Sequence, residues 1–119
     1  MHELSVCRAL LDQAAAVAET HGARAVDRIV IRIGPLSGIE PKLLREAFLI
    51  ARAGTPAEQA DLIVQLTAVS VRCEICSAES MCPPNRLMCG ICGSHRTQLI
   101  GGDELLLVSV ELLAQATTD

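Results

Sequence analysis

The stretch LIVQLTAVSVRCEIC, from Leu62 to Cys76, carries a strand pattern straight into a pair of metal-ligand residues. Leu62, Val64, Leu66 and Ala68 alternate inward, as a half-buried strand requires; Val69 and Val71 then shift the phase. Such a shift marks a bulge or an exit from the sheet. CEIC (Cys73–Cys76) is answered by CGIC (Cys89–Cys92), with twelve residues between the two pairs. Each Cys-x-x-Cys turn offers two thiolates from one tight loop, and together they complete a tetrahedral four-sulfur site. Gly90 and Gly93 let the second turn fold back so that backbone N–H groups approach the sulfurs. The intervening segment, with Pro83–Pro84, has few apolar residues and cannot build a core alone. Structural zinc supplies about 10–16 kcal/mol of apparent binding energy at sites of this kind. Zinc is favoured over iron, and four cysteine ligands leave no open position, so the predicted site is structural rather than catalytic.

Working outward, RIVIRI (Arg28–Ile33) places Ile29, Ile31 and Ile33 on one face and Arg28, Val30 and Arg32 on the other, a half-buried strand. Downstream, Gly101–Gly102–Asp103 is a turn, and Leu106, Val108, Val110 and Leu112 share one face of a strand over Leu105–Leu112. The strands on either side of the cysteine segment would pair most simply as a long-looped antiparallel hairpin. Leu4, Cys7, Leu11, Ala14 and Ala18 recur at helical spacing, which predicts a helix from about Glu3 to His21, stopped by Gly22. After the turn GPLSG (Gly34–Gly38), Pro41 suits the first position of a second helix. It would bury Leu44, Ala47, Phe48 and Ala51 and end at Gly54 and Pro56. The predicted fold class is α+β, with two helices on a small three-stranded mixed sheet and an inserted four-cysteine zinc-ribbon module. The expected division is residues 1–72 with 100–119 as the body and 73–99 as the ribbon.

Composition narrows the function. The chain has 119 residues, 50% apolar and 20% charged, enough for one modest core. Phe48 is its one aromatic residue, so the core is built from Leu, Ile, Val and Ala. Net charge is −4, and the acidic excess lies late in the chain at Asp103, Glu104, Glu111 and Asp119. With no basic patch and no stacking aromatics, nucleic acid is not the expected partner. No stretch approaches the roughly 20 apolar residues of a membrane span, and Met1–Leu11 lacks the charged and apolar regions of a secretion signal. A cytoplasmic location is expected, where six cysteines serve as ligands or buried thiols rather than disulfides.

The chain opens MHELSVCRALL. The terminal amine, the His2 amide and the His2 imidazole lie within one residue's reach and can chelate a metal; the bland alternative is an exposed terminus. His21 is read as a helix cap and His95 as an exposed turn residue beside a completed four-sulfur set. Cys7 falls on the buried stripe of the first helix, whereas Cys82 lies outside the ligand spacing as a free thiol. Glu40 has two readings, a ligand near the N-terminus or a carboxylate at the positive end of the second helix.

Taken together, Met1–His2–Glu3, the IGPLSG turn, the paired Cys-x-x-Cys motifs and the terminal strand ending in VEL resemble the HypA/HybF family of nickel metallochaperones over essentially the whole chain. The resemblance implies a non-enzymatic carrier that binds Ni(II) at His2 and Glu3, with Glu40 as a further candidate ligand, for maturation of nickel–iron hydrogenase or supply of urease. It also implies structural zinc held by Cys73, Cys76, Cys89 and Cys92. The implied partners are the GTPase HypB and the hydrogenase large-subunit precursor. Ser77 and Gly93 stand where some relatives carry a histidine after each cysteine pair, so histidine-dependent behaviour of the zinc site is not carried over. Imidazole and amide nitrogens suit the tetragonal fields of Ni(II) or Cu(II). The alternatives are a zinc-ribbon adaptor for protein or nucleic acid and a rubredoxin-like iron electron carrier. The oligomeric state, a homodimer among the options, is not read from the sequence.

Overall fold

A computed structural model describes residues 2–113, with His2 described by its backbone alone. The order of elements is α1 (His2–Thr20), β1 (Ala25–Ile33), α2 (Pro41–Ala51), β2 (Asp61–Leu66), β3 (Val69–Cys73), β4 (Glu79–Cys82), β5 (Thr97–Gly101) and β6 (Leu105–Leu113). They form two three-stranded sheets, ordered β2-β1-β6 and β4-β3-β5. This is the expected α+β class of two helices with small sheets, although the periodicity alone does not signal the second sheet. Among the described residues, no helix is long and apolar enough to cross a membrane.

The pattern LIVQLTAVSV divides where its phase slips. Leu66 ends β2, Thr67 and Ala68 connect the sheets, Thr67 N–H still donating to the Ile33 carbonyl at 3.1 Å, and Val69 begins β3 in the other sheet. An exit from the sheet therefore explains the change of phase at Val69, and the β3–β5 register also shifts between Ser70 and Val71. The expected hairpin between the strands flanking the cysteine segment does not form, because β1 lies between β2 and β6. Its sequence suits the central position. Ile29, Ile31 and Ile33 are buried on one face, and Val30 is buried on the other, between Arg28 and Arg32. A central strand has both edges paired, so the backbone N–H and C=O groups of this buried segment find partners without water.

The chain divides into two compact units, one made of Ile39–Val64 with the described residues before Arg32 and after Leu106, the other of Arg32–Gly38 with Gln65–Leu106. In the first unit, α1 buries Cys7, Leu10, Leu11, Ala14 and Ala18, the spacing of one helix face. It ends in a Schellman motif: Gly22 at φ 65 donates its N–H to the Glu19 carbonyl at 3.1 Å, and Ala23 donates to Ala18 at 2.8 Å. His21 Nδ1 lies 2.9 Å from the Val17 carbonyl and so caps the last turn, as expected. Helix α2 starts with Pro41 at its first turn and buries Leu44 and Phe48. The helices are joined where the Cys7 thiol donates to the Leu44 carbonyl at 3.4 Å. Burial, and then the charge of Glu3, push that thiol up to about 11, so it remains a protonated donor.

In the second unit, β3 pairs antiparallel with β4, Val69 opposite Cys82 and Arg72 opposite Glu79, and with β5, Cys73 opposite Thr97. The Arg72–Glu79 ion pair joins opposed residues of β3 and β4 and is exposed on both sides, so it adds little stability. The turn after β1 is pinned to the turn before β6. Gly34 donates to the Glu104 carbonyl at 2.8 Å, and Leu36 donates to the Gly102 carbonyl at 2.7 Å. The Glu104 carboxylate accepts from Gly102 N–H at 2.8 Å and from the Thr67 hydroxyl at 2.9 Å. Its own backbone N–H and that hydroxyl hold this carboxyl below the usual range.

Candidate metal centres

The four cysteines predicted as ligands come together. Their sulfurs all lie within 4.8 Å of one another, with Cys73 Sγ 3.5 Å from Cys92 Sγ and Cys76 Sγ 3.6 Å from Cys89 Sγ. A tetrahedral ion with metal–sulfur bonds of about 2.3 Å sets its sulfurs about 3.8 Å apart, so the donor set fits zinc. Cys73 and Cys89 are buried and anchor the cluster, whereas Cys76 and Cys92 are exposed.

The two turns are near copies. The N–H groups of Ile75 and Cys76 point at Cys73 Sγ at 3.3 and 3.4 Å, and those of Ile91 and Cys92 point at Cys89 Sγ at the same distances. Ser77 and Gly93 close them, donating to the carbonyls of Cys73 at 3.1 Å and Cys89 at 3.0 Å. Both take the left-handed backbone, at φ 65 and 78. Gly93 is therefore the residue that turns the chain back. Gly90 has an ordinary φ, and its N–H donates to Ser80 Oγ at 2.9 Å. Sequence reasoning misses Ser77 as a turning residue, although overlaying the two Cys-x-x-Cys motifs sets it against Gly93.

These dipoles split the cluster's titration. The Cys92 and Ile91 N–H groups draw Cys89 down to about 6. The Cys76 N–H lowers Cys73 for the same reason. At Cys92 the Ser94 N–H favours the thiolate, but the Cys73 sulfur and desolvation outweigh it and push the thiol up to about 12. Cys76 is raised too, its Ala78 N–H being outweighed by desolvation and the Cys89 sulfur. A cation that neutralises four close sulfurs removes this conflict.

Of the predicted nickel residues, the His2 side chain and Met1 lie outside the described residues. Glu3 and Glu40 do meet: Glu40 N–H donates to Glu3 Oε2 at 3.2 Å. Glu40 is also the N-cap of α2, its Oε1 accepting from Lys42 N–H at 3.1 Å. The helix-start reading of Glu40 is thus realised. Glu40→Ala should cost about 1 kcal/mol in thermal unfolding through loss of that cap, and Glu40→Gln, which keeps an acceptor, much less. Equal losses in the two variants would remove the capping role. His95 is exposed and stands outside the sulfur cluster, and Cys82 sits in β4, half-buried.

A two-helix α+β body carrying a four-cysteine cluster compatible with zinc defines a small metal-binding protein. Comparison with known proteins makes the class specific. The family described as "Hydrogenase/urease nickel incorporation, metallochaperone, hypA" matches residues 1–112. The chain is 43% identical to the hydrogenase maturation factor HypA of Nitrosospira multiformis, over 95% of this chain and 98% of the relative. It is 39% identical to that of Aquifex aeolicus, over 94% and 97%. The solution structure of the nickel metallochaperone HypA from Helicobacter pylori superposes with a TM-score of 0.68 at 27% identity, covering 95% of this chain and 98% of that one. A second HypA solution structure gives 0.74 at 28%, covering 97% and 98%. The chain belongs to the HypA family of nickel metallochaperones.

Proposed function

We propose that this protein is a cytoplasmic, non-enzymatic nickel carrier that binds Ni(II) through Met1–His2–Glu3 and delivers it for hydrogenase maturation. Zinc held by Cys73, Cys76, Cys89 and Cys92 keeps the ribbon folded, and the body of residues 1–72 and 100–119 carries the nickel end. The terminal amine, the His2 amide and the His2 imidazole supply the nitrogen donors, with Glu3 completing or supporting the set. The observation that carries this reading is the bond from Glu40 N–H to the Glu3 carboxylate, which ties the start of α1 to the start of α2. In this reading the terminus, anchored through Glu3, hands its ion on to a partner. Amide donors must lose protons to bind metal, so nickel affinity should rise with pH. The hydrogenase large-subunit precursor and the GTPase HypB are the partners this role calls for, and urease is a second destination.

Nickel titration of the zinc-loaded protein beside His2→Ala tests the reading. Loss of the imidazole, a direct ligand, should weaken nickel binding by about a hundredfold or more, since losing a partner that only orients a ligand already costs about 10–100-fold. The far-UV spectrum and zinc content should not change. Equal nickel affinity in the two proteins would overturn the proposal.

A further inference from the structure

Helix α2 has two apolar stripes, and only one is used. Leu44 and Phe48 face the core, whereas Leu43 and Ile50 are 49% and 76% exposed. Leu43, Glu46, Ala47 and Ile50 fall at i, i+3, i+4 and i+7, one continuous helical face. With Glu3 and Leu4 of α1 they line a groove of about 220 Å³. The charged side chains that line it, Glu3 and Glu46, are both acidic; Glu46 is exposed, and its side chain makes no hydrogen bond or ion pair among the described residues.

We propose that this groove receives an amphipathic helix of a partner protein, with apolar anchors on one side and lysine or arginine flanking them. Recognition of this kind lays an apolar face along i, i+4 and i+7 positions, which matches the spacing presented here. The acidic rim selects a basic partner and repels an acidic one. It also disfavours a second copy of this chain. An antiparallel pairing of α2 with its own copy about the middle of the stripe would set Glu46 beside Glu46. The groove shares Glu3 with the proposed nickel end, but its apolar lining from Leu4, Leu43, Ala47 and Ile50 takes no part in that site, so helix docking does not require nickel binding.

The test is fluorescence anisotropy with a labelled leucine/lysine amphipathic helix of about 18 residues, long enough to hold helical structure, and a leucine/glutamate helix of the same spacing. Each is titrated with the nickel-free, zinc-loaded full chain. The basic helix should bind at least about tenfold more tightly than the acidic one, and Ile50→Ser should weaken it by about tenfold or more. Glu46→Lys should reverse the preference, whereas Asp12→Lys, the same charge change on the exposed side of α1, should not. His2→Ala should bind the basic helix as the unaltered chain does, which separates this result from any failure of the nickel reading. Far-UV spectra confirm that each variant is folded, and the Glu46 charge reversal stands as a test if Ile50→Ser is not. Failure of both helices to bind, equal affinity for the two, or indifference to Ile50→Ser and Glu46→Lys would overturn the proposal. A dimer in sedimentation equilibrium that Ile50→Ser dissociates would assign the face to a second copy and overturn it as well.

Discussion

Cys73→Ser is expected to abolish ordered structure in the unit built from residues 65–106, while Cys82→Ser leaves it intact. The reason lies in what that unit buries. Apart from Ile33, contributed by the end of β1, its buried apolar side chains are Val69, Val71, Cys73 and Cys89. Two of these are cluster thiols, while Ile75, Met81 and Ile91 are largely exposed. So little apolar burial does not offset the entropy of ordering the segment, and metal ligation has to make up the difference. The amide spectrum of Cys73→Ser, or of the chelator-treated protein, should lose the dispersion of residues 65–106. Retention of full zinc content and dispersion by Cys73→Ser would remove zinc from its structural role.

The sign of the pH dependence follows from the split cluster. Zinc binds thiolates, so at neutral pH it must displace the protons held by Cys76 and Cys92, whose titration is raised. Affinity therefore falls as pH falls. Below about 6 the metal-free Cys89 protonates as well, and the decline steepens there. Competition with a chromophoric chelator across pH 5–8, which spans the Cys89 titration, checks this. A flat profile would count against thiolate ligation.

Gly34→Ala is the second large effect expected, about 3 kcal/mol of lost stability in urea unfolding of the zinc-loaded protein. A Cβ at Gly34 would fall inside the Gly102 carbonyl and against the Glu104 carboxylate. Backbone cannot retreat there, because Gly102 is itself pressed on Val69 and holds φ 111. The contrast is Gly38→Ala. Gly38 has φ 82 but open space around it, so only the backbone penalty of about 1–2 kcal/mol applies. Wild-type stability in Gly34→Ala would show that the two turns are not packed as described.

Local periodicity made several parts of the fold legible. The two helices, their stops at Gly22 and Gly54, and Pro41 at the start of α2 all follow from residues within a few positions of one another. The four sulfur ligands were legible for the same reason, since each Cys-x-x-Cys turn is a local structure whose hydrogen bonds run between near neighbours. Exposure of β6 was not legible. Leu106 and Val108 share an apolar face yet are 49% and 43% exposed, and Leu66 of β2, expected to face inward, is 69% exposed. Alternation gives the two faces of a strand but not what covers either of them.

By itself, then, the sequence determined the two helices, the strands β1, β2 and β6, and which cysteines form the cluster. These depend on spacing along the chain, on the 3.6- and 2-residue periods and on the reach of a tight turn. Only the tertiary structure decided that β1 separates β2 from β6, that β3 leaves for a second sheet, and that Glu40 both caps α2 and meets Glu3. It also decided that Gly34 and Gly102 must have no side chain, and that the Leu43–Ile50 stripe is left uncovered. Each of these depends on atoms brought together from distant parts of the chain, where packing space and unpaired backbone groups, rather than local pattern, set the outcome.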